Sequence, residues 1–219
     1  MKPDDNASCA DWYLTLARCP ETEIKILGSR FVAEAFPARD SAAAREHLAA
    51  VRRRYHDATH HCSAYRLAPP ENPVDFADDD GEPSGTAGNA ILGTIRRAGL
   101  YDTIVVVTRY FGGTKLGTGG LARAYADAGR LALEAATIRR KWRLAKMIIT
   151  CDYQVLGTIE AQMKRAGALV HSAERAFDPE PRIVLKIPRT EARNFADRLA
   201  EATAARAKIE ITSEECEED

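Results

Sequence analysis

The first part of the chain alternates between extended and helical patterns of apolar residues. Residues 28–38 alternate apolar and polar side chains with a period of two, which predicts a strand. A helix is predicted to follow, beginning at Asp40 or Ser41, since both are good N-cap residues, and ending near residue 55. The same reading predicts three further segments: an extended stretch over residues 11–25, a strand over 60–68 and a loop over 71–80.

A run of β-branched residues, 103–108, lacks any polar alternation. Such a strand is predicted to be buried on both faces of its sheet, or nearly so. The residues before it, 86–98, have helical periodicity that stops at Gly99, and residues 118–136 have it again. Residues 138–142, Ile-Arg-Arg-Lys-Trp, are predicted to link this part of the chain to the next.

The remaining residues have a rhythm of their own. They predict strands over residues 143–153, 168–177, 182–187 and 208–212, and helices over residues 154–166 and 190–204. The resulting order βαββαβ is that of the ferredoxin-like fold. The pattern therefore predicts an α+β protein with one domain over residues 1–140, a second over 141–213 and an acidic tail over 214–219.

Composition narrows the class of protein. The chain has 219 residues, 45% of them hydrophobic and 29% charged, and its apolar runs are far shorter than the ~20 residues that cross a bilayer. Its start resembles no secretory signal, and its five cysteines are scattered, which indicates reduced thiols in the cytoplasm. The net charge is −1, but residues 141–213 carry more basic than acidic side chains. That excess fits a nucleic-acid surface, but it is also common among domains that bind nothing anionic, which is the stronger interpretation.

Glycine is concentrated between residues 81 and 120, around helix starts. The segment Gly117-Thr-Gly-Gly-Leu-Ala122 matches Gly-x-Gly-x-x-Ala, but it does not directly follow a strand and no acid stands at the required distance. Residues 112–115 do not match a P-loop either. We therefore expect no nucleotide cofactor.

The two helix starts near Thr86 and Thr118 present free backbone N–H groups, which favour an anion. Arg109, Lys115 and Arg123 bring positive charge to the same region. An alternative is that the glycines only permit tight packing and that the cations pair with the acids of residues 78–82. In either case, segments 79–88 and 108–120 are predicted to meet on one face, where Glu82 would pair with Arg109 or Lys115.

Two other clusters are weaker candidates. The three consecutive aspartates 78–80 cannot all point one way, so a solvated loop is preferred to a metal site. His56, His60, His61 and Cys62 resemble a soft-metal or thiol-catalytic cluster, but His61 and Cys62 point to opposite faces of a strand. We expect no metal and assign no catalytic residue.

Two long motifs carry a resemblance to a known family. They are Asp79-Asp-Gly-Glu-Pro-Ser-Gly-Thr-Ala-Gly88 and Val105-Val-Val-Thr-Arg-Tyr-Phe-Gly-Gly-Thr-Lys-Leu-Gly-Thr-Gly-Gly-Leu-Ala-Arg-Ala-Tyr125. With Ala58-Thr-His-His-Cys62, they closely resemble the Impact/YigZ family over essentially the whole chain. One departure is Asn89-Ala90, where the family usually has a basic residue and a proline.

The resemblance implies a fold and a function. It implies an N-terminal βαβ domain similar to that of a small-subunit ribosomal protein and the fourth domain of elongation factor G, with its helices on one face of the sheet. The C-terminal domain would resemble the ferredoxin-like fifth domain of that factor. We expect a non-enzymatic, cytoplasmic regulator that binds the ribosome, RNA or a translation factor, with no membrane association and no sequence-specific reading of DNA.

The predicted site has two groups of residues. The anion- or nucleic-acid-binding group is Arg109, Gly112, Gly113, Lys115, Gly117, Gly119, Gly120 and Arg123; the group that positions the loops is Asp79, Asp80, Glu82, Ser84, Thr86 and His60. One alternative is an enzyme acting on a small phosphorylated or carboxylated substrate, with Glu82 or His60 as base. Another is a protein–protein adaptor.

Overall fold

Strands and helices follow one another in two groups along the chain. The computed structural model describes residues 8–9, 11–68, 70–177 and 179–218. The strands are β1 Ser8–Cys9, β2 Trp12–Arg18, β3 Thr22–Ile26, β4 Ser29–Pro37, β5 His60–Leu67, β6 Val74–Asp78, β7 Thr103–Tyr110, β8 Thr137–Thr150, β9 Ser172–Ala176, β10 Arg182–Pro188 and β11 Lys208–Glu218. The helices are α1 Ser41–Arg54, α2 Gly88–Ala98, α3 Gly117–Ala135, α4 Tyr153–Ala166 and α5 Ala192–Ala202, with a short 3₁₀ turn at Gly167–Leu169.

The chain divides into two compact units. One contains Tyr13–Arg140, and the other contains the residues from Lys141 onward together with Cys9–Trp12. None of the helices in the described residues has the length and apolar character that a bilayer crossing requires.

In the first unit, five strands form a sheet in the order β3-β4-β7-β5-β6, with every neighbouring pair antiparallel. Strands β4 and β5 flank β7, so they run parallel to each other, and α1 connects them. This is a βαβ unit with one strand inserted between its two strands. The continuous β-branched sequence of β7 fits the central position, because seven of its eight residues are buried.

Helices cover both faces of this sheet. Val105 and Val107 point to the side on which α2 and α3 pack, whereas Ile104 and Val106 pack with Val51 of α1. The α+β class is confirmed, but the expectation that all the helices lie on one face is corrected for α1. The physical reason is that β7 is apolar at odd and even positions alike, so each of its faces needs a cover.

The second unit has the predicted ferredoxin-like order. Strand β8 pairs antiparallel with β10 and with β11, and β10 pairs antiparallel with β9, which gives the order β11-β8-β10-β9. Helices α4 and α5 contribute Ile159 and Leu199 to a core that includes Met147, Ile149 and other fully buried apolar residues of the sheet. Asp152 begins α4 by accepting hydrogen bonds from the backbone nitrogens of Gln154 and Val155.

Several boundaries differ from the prediction, and three of the differences change the assignment of a segment. The predicted loop 71–80 contains the edge strand β6, whose aspartates had masked a period of two. The predicted linker 138–142 lies inside β8, a single strand of 14 residues. The last strand was predicted to end at residue 212, but β11 continues to Glu218.

Candidate functional site

The acidic motif, residues 79–88, builds its own helix start. The Asp79 carboxylate accepts hydrogen bonds from the backbone nitrogens of Gly85, Ala87 and Gly88, at 2.6, 2.9 and 2.8 Å. Burial raises the pKa of Asp79, but these three donors outweigh that effect and lower the pKa below its ordinary value. Two of the N–H groups at the start of α2, those of Ala87 and Gly88, are therefore already paired within the chain and are not free to bind an external anion.

Asp80 ties the same loop to strand β5. Its carboxylate accepts from the His61 backbone nitrogen and from the Arg52 guanidinium, each at 2.6 Å, while its backbone carbonyl oxygen lies 2.7 Å from Nδ1 of His60. Asp80 itself has a positive φ of 44°, an uncommon conformation for a non-glycine residue. Asp80 therefore fixes both the loop and the ring of His60. Among the remaining predicted positioning residues, Thr86 donates to the Pro83 carbonyl oxygen at 2.6 Å and Ser84 is exposed.

The two glycine-rich segments meet at a buried ion pair. Nη1 of Arg109 lies 2.5 Å from Oε1 of Glu82, and both side chains are about 95% buried, at 5% and 4% exposed. The Tyr125 hydroxyl donates to the same oxygen at 2.8 Å, and Nη2 of Arg109 donates to Oγ of Ser29 at 3.3 Å. The predicted meeting of the loops and the pairing of Glu82 with Arg109 are thus confirmed.

Strand register explains this convergence. His60 and Arg109 are direct partners across β5 and β7, and Phe31 is the partner of Arg109 on the other side. All three lie at the end of the sheet face that carries α2 and α3, because alternate residues of a strand share a face. Burial raises the pKa of the Tyr125 phenol and of the nearby Cys62 thiol, so both stay neutral at ordinary pH.

The glycines of the two motifs are in two different environments. A Cβ on Gly112 would lie 1.9 Å from the carbonyl carbon of Gly28, and one on Gly88 would lie 2.6 Å from the Asp78 nitrogen. These two glycines permit close contact between backbones. By contrast, a Cβ on Gly113, Gly117 or Gly119 would meet no described atom within 4 Å, and one on Gly120 would come 3.3 Å from the Leu116 side chain.

A cleft of about 470 Å³ opens at the start of α3. Its lining residues are Thr59, His60, Glu82, Pro83, Arg109, Phe111, Lys115, Leu116, Gly117, Thr118 and Leu121. The N–H groups in the first turn of a helix have no partner within the helix. At the start of α3, no side chain among the described residues accepts a hydrogen bond from them either. The cleft therefore combines an open helix N-terminus with a mixed polar and apolar wall.

The predicted cations are in different environments. Arg109 is buried and paired with Glu82, so it supports the wall of the cleft. Lys115 and Arg123 are exposed, and neither makes an ion pair within the described part of the chain. Arg123 lies four residues after Gly119, on the same face of α3. Lys115 thus lies in the wall of the cleft, whereas Arg123 lies in the next turn of α3, outside the residues that line the cleft.

Sequence reasoning missed several contributors. Phe111 is 47% exposed, and its ring centroid lies 5.4 Å from the guanidinium carbon of Arg109. Its signal was a large aromatic residue directly before Gly112 and Gly113, in a segment without helical or strand periodicity. Tyr125 was interpreted only as a core residue of a helix, and nothing in the sequence marked Ser29.

No metal centre accompanies this geometry in the described residues, where no group of three or more His, Cys, Asp or Glu side chains could hold an ion.

Known proteins resemble the chain closely. The model of the Impact N-terminal domain matches residues 27–133. The chain is 34% identical to IMPACT family member YvyE of Bacillus subtilis over 197 residues, 90% of this chain and 89% of the relative.

The chain belongs to the IMPACT family. A second relative, IMPACT family member YigZ of Escherichia coli, is 33% identical over 194 residues, 87% of this chain and 92% of the relative. A crystal structure of a hypothetical protein superimposes with a TM-score of 0.64 at 29% identity, over 94% of this chain and 99% of that one. Both glycine-rich motifs of this IMPACT family member, and the cleft that they build, lie within the matched N-terminal domain.

Proposed function

We propose that this IMPACT family member is a non-enzymatic, translation-associated regulator that binds RNA, free or within the ribosome, through the α3 face of its first unit. The observation that carries the proposal is the uncapped start of α3, which opens into a cleft lined by the exposed Lys115, while the exposed Arg123 lies in the next turn of the same helix. The N-terminus of a helix attracts a phosphate through its free N–H groups and its dipole. The resemblance of both domains to parts of elongation factor G supports a role in translation.

Gly119 supports a ligand at this position. It lies in the first turn of α3, is exposed, and has no described atom within 4 Å of the place where a Cβ would stand. Packing therefore does not require a glycine here, and alanine would favour the helix by about 0.5–1 kcal/mol. A ligand that approaches the backbone closely is a physical reason to keep this space empty.

Phe111 favours a nucleic acid over a free anion. Its half-exposed ring borders the same cleft as Lys115 and the first turn of α3. Single-stranded nucleic acids are bound by aromatic rings that stack on bases, next to cations that follow the phosphates. A phosphate at the start of α3 and a neighbouring base on Phe111 would use both features together.

The role of Arg109 follows from its burial. Its charge is neutralised by Glu82 and only 5% of its side chain is exposed, so it supports the cleft wall and is not a principal phosphate contact. Removal of Arg109 would therefore test folding more than binding. The informative cations are Lys115 and Arg123.

The test is RNA binding by the variant Lys115→Ala/Arg123→Ala. We expect weaker binding to a fluorescent 12-nucleotide RNA and less cosedimentation with ribosomes. The slope of log K against log salt should fall by about 1.4, which corresponds to two lost contacts on a single strand. The matched control is Arg45→Ala/Arg53→Ala, two exposed arginines of α1 on the opposite sheet face. Equal binding by wild type and the α3 variant would refute the proposal.

A second candidate is an enzyme acting on a small phosphorylated or carboxylated substrate. The observation that favours it is the concave shape of the cleft, with the imidazole of His60 in its wall. Glu82, the other base considered, is held by Arg109 and Tyr125, so His60 remains as the base. Release of phosphate from phosphomonoesters by the wild type, abolished by His60→Asn, would support this function.

A further inference from the structure

We propose that His60 is the residue by which the cleft distinguishes RNA from DNA. In this proposal, Nε2 of His60 accepts a hydrogen bond from a ribose 2′-hydroxyl of the bound strand. The inference rests on the proposed function and names the group that would give the site its ribose preference.

The contact with Asp80 determines the tautomer of His60. Nδ1 lies 2.7 Å from the Asp80 carbonyl oxygen, and a carbonyl oxygen can only accept a hydrogen bond. Nδ1 must therefore carry the proton. A neutral imidazole has a single N–H group, so Nε2 is left with a lone pair and acts as an acceptor.

This lone pair has no donor among the described residues. Oε1 of Glu82 lies 4.0 Å from Nε2, which is too far for a hydrogen bond, and it is itself an acceptor. That oxygen already accepts from Arg109 and Tyr125. The His60 side chain is 21% exposed and lines the cleft, so a ligand can reach it. The site therefore presents an acceptor that only an incoming donor can satisfy.

A ribose 2′-hydroxyl is a donor at a suitable position in RNA. His60 lines the same cleft as Gly117 and Thr118, where a phosphate would bind at the start of α3. The sugar next to that phosphate carries the hydroxyl in RNA and lacks it in DNA. The 2′-hydroxyl is the group by which proteins distinguish the two at a given site.

The experiment compares oligouridine with oligodeoxyuridine of 12 nucleotides, because these two strands share the same base. By fluorescence anisotropy, the wild type should bind the ribose strand with a Kd roughly threefold to tenfold lower than that for the deoxyribose strand. This difference in affinity corresponds to the net contribution of one ordinary hydrogen bond. In His60→Asn, the side-chain amide can still donate to Asp80 from the position of Nδ1, but the second acceptor is lost. The preference should then fall to about one.

Two further variants separate structure from recognition. His60→Gln places an amide oxygen near the position of Nε2 and should retain part of the preference. His56→Asn changes an exposed histidine outside the cleft and should leave the preference unchanged. Thermal unfolding of each variant confirms that it is folded.

The outcomes distinguish the inference from the proposed function. Equal wild-type binding of both strands, or a His60→Asn variant that weakens both strands equally, overturns the role of His60 and leaves RNA binding intact. A wild type that binds neither strand overturns the proposed function itself. A ribose preference that is lost in His60→Asn and partly retained in His60→Gln supports the inference.

Discussion

The substitution Gly119→Ala tests whether the empty space at the start of α3 is used by a ligand. The added methyl group would meet no described atom within 4 Å, and Gly119 is not among the glycines with a positive φ. The change should therefore stabilise the helix while placing a methyl group where the ligand approaches. Stability and binding are expected to move in opposite directions.

The magnitude of the stability effect follows from helix propensity. Alanine exceeds glycine by about 0.5–1 kcal/mol inside a helix, and the first turn should give the lower figure. For a chain of this size, about 0.5 kcal/mol raises Tm by about 1–2 °C. Gly157→Ala is the matched control, because Gly157 is an exposed glycine of α4 with no described atom within 4 Å of its Cβ position. It should also raise Tm.

The binding effect follows from geometry at the helix end. The N–H groups of the first turn point toward the helix N-terminus, and Cβ atoms are tilted in the same direction. A phosphate oxygen would lie about 2.9 Å from the Gly119 nitrogen, where the added methyl group would crowd it. The loss of one hydrogen bond to a charged group is about 1.5 kcal/mol or more, which is roughly tenfold in Kd.

Differential scanning calorimetry and fluorescence anisotropy with the 12-nucleotide RNA measure the two effects. Gly119→Ala should bind about tenfold more weakly despite its higher Tm, whereas Gly157→Ala should bind as the wild type does. If Gly119→Ala binds RNA with unchanged affinity, the open space at this position is not a ligand site, and the argument from the glycine is refuted.

Three further predictions concern the support of the cleft. Glu82→Ala leaves the buried Arg109 charge without its partner and should lower the free energy of unfolding in urea by about 3–5 kcal/mol; a loss below about 1 kcal/mol would contradict the buried pair. Asp79→Ala removes the acceptor of three backbone N–H groups, two of them at the start of α2, and should cost about 1–2 kcal/mol. Because the pKa of Asp79 is lowered in the folded protein, its contribution is complete above the unfolded pKa and is lost as the pH falls through the folded value, so the wild type and Asp79→Ala should converge in acid. Gly112→Ala places a methyl group 1.9 Å from the Gly28 carbonyl carbon and should reduce Tm, whereas Gly157→Ala, at an open position without a positive φ, should not; an unchanged Tm in Gly112→Ala would show that this close approach is not needed.

Much of the fold could be predicted from the order of apolar residues. The unbroken β-branched run of β7 predicted a central strand, Asp40 predicted the start of α1, and the last third of the chain predicted the ferredoxin-like order. These features depend on periodicity and capping, which are local properties of the chain. The edge strand β6 was missed because it has only five residues and its aspartates interrupt the apolar pattern.

Part of the candidate site was also accessible from the sequence. The opposite charges in the two glycine-rich segments were enough to predict that Glu82 pairs with Arg109 or Lys115, and the structure shows the pair with Arg109. The sequence did not tell which of the three predicted cations is buried. That depends on strand register, which places Arg109 between Phe31 and His60.

Only the tertiary structure separated the two helix starts and the two kinds of glycine. Both helices begin with similar residues. The Asp79 carboxylate accepts a hydrogen bond from the first residue of α2, whereas the start of α3 has no such side-chain cap among the described residues. Gly112 is a glycine because Gly28, distant in sequence, lies against it, whereas Gly119 faces empty space. The sequence determined which residues could bind an anion, through their charge, their size and their place along the chain. The fold decided which of them are available, because burial and the partner of each N–H group depend on residues that are brought together from distant positions.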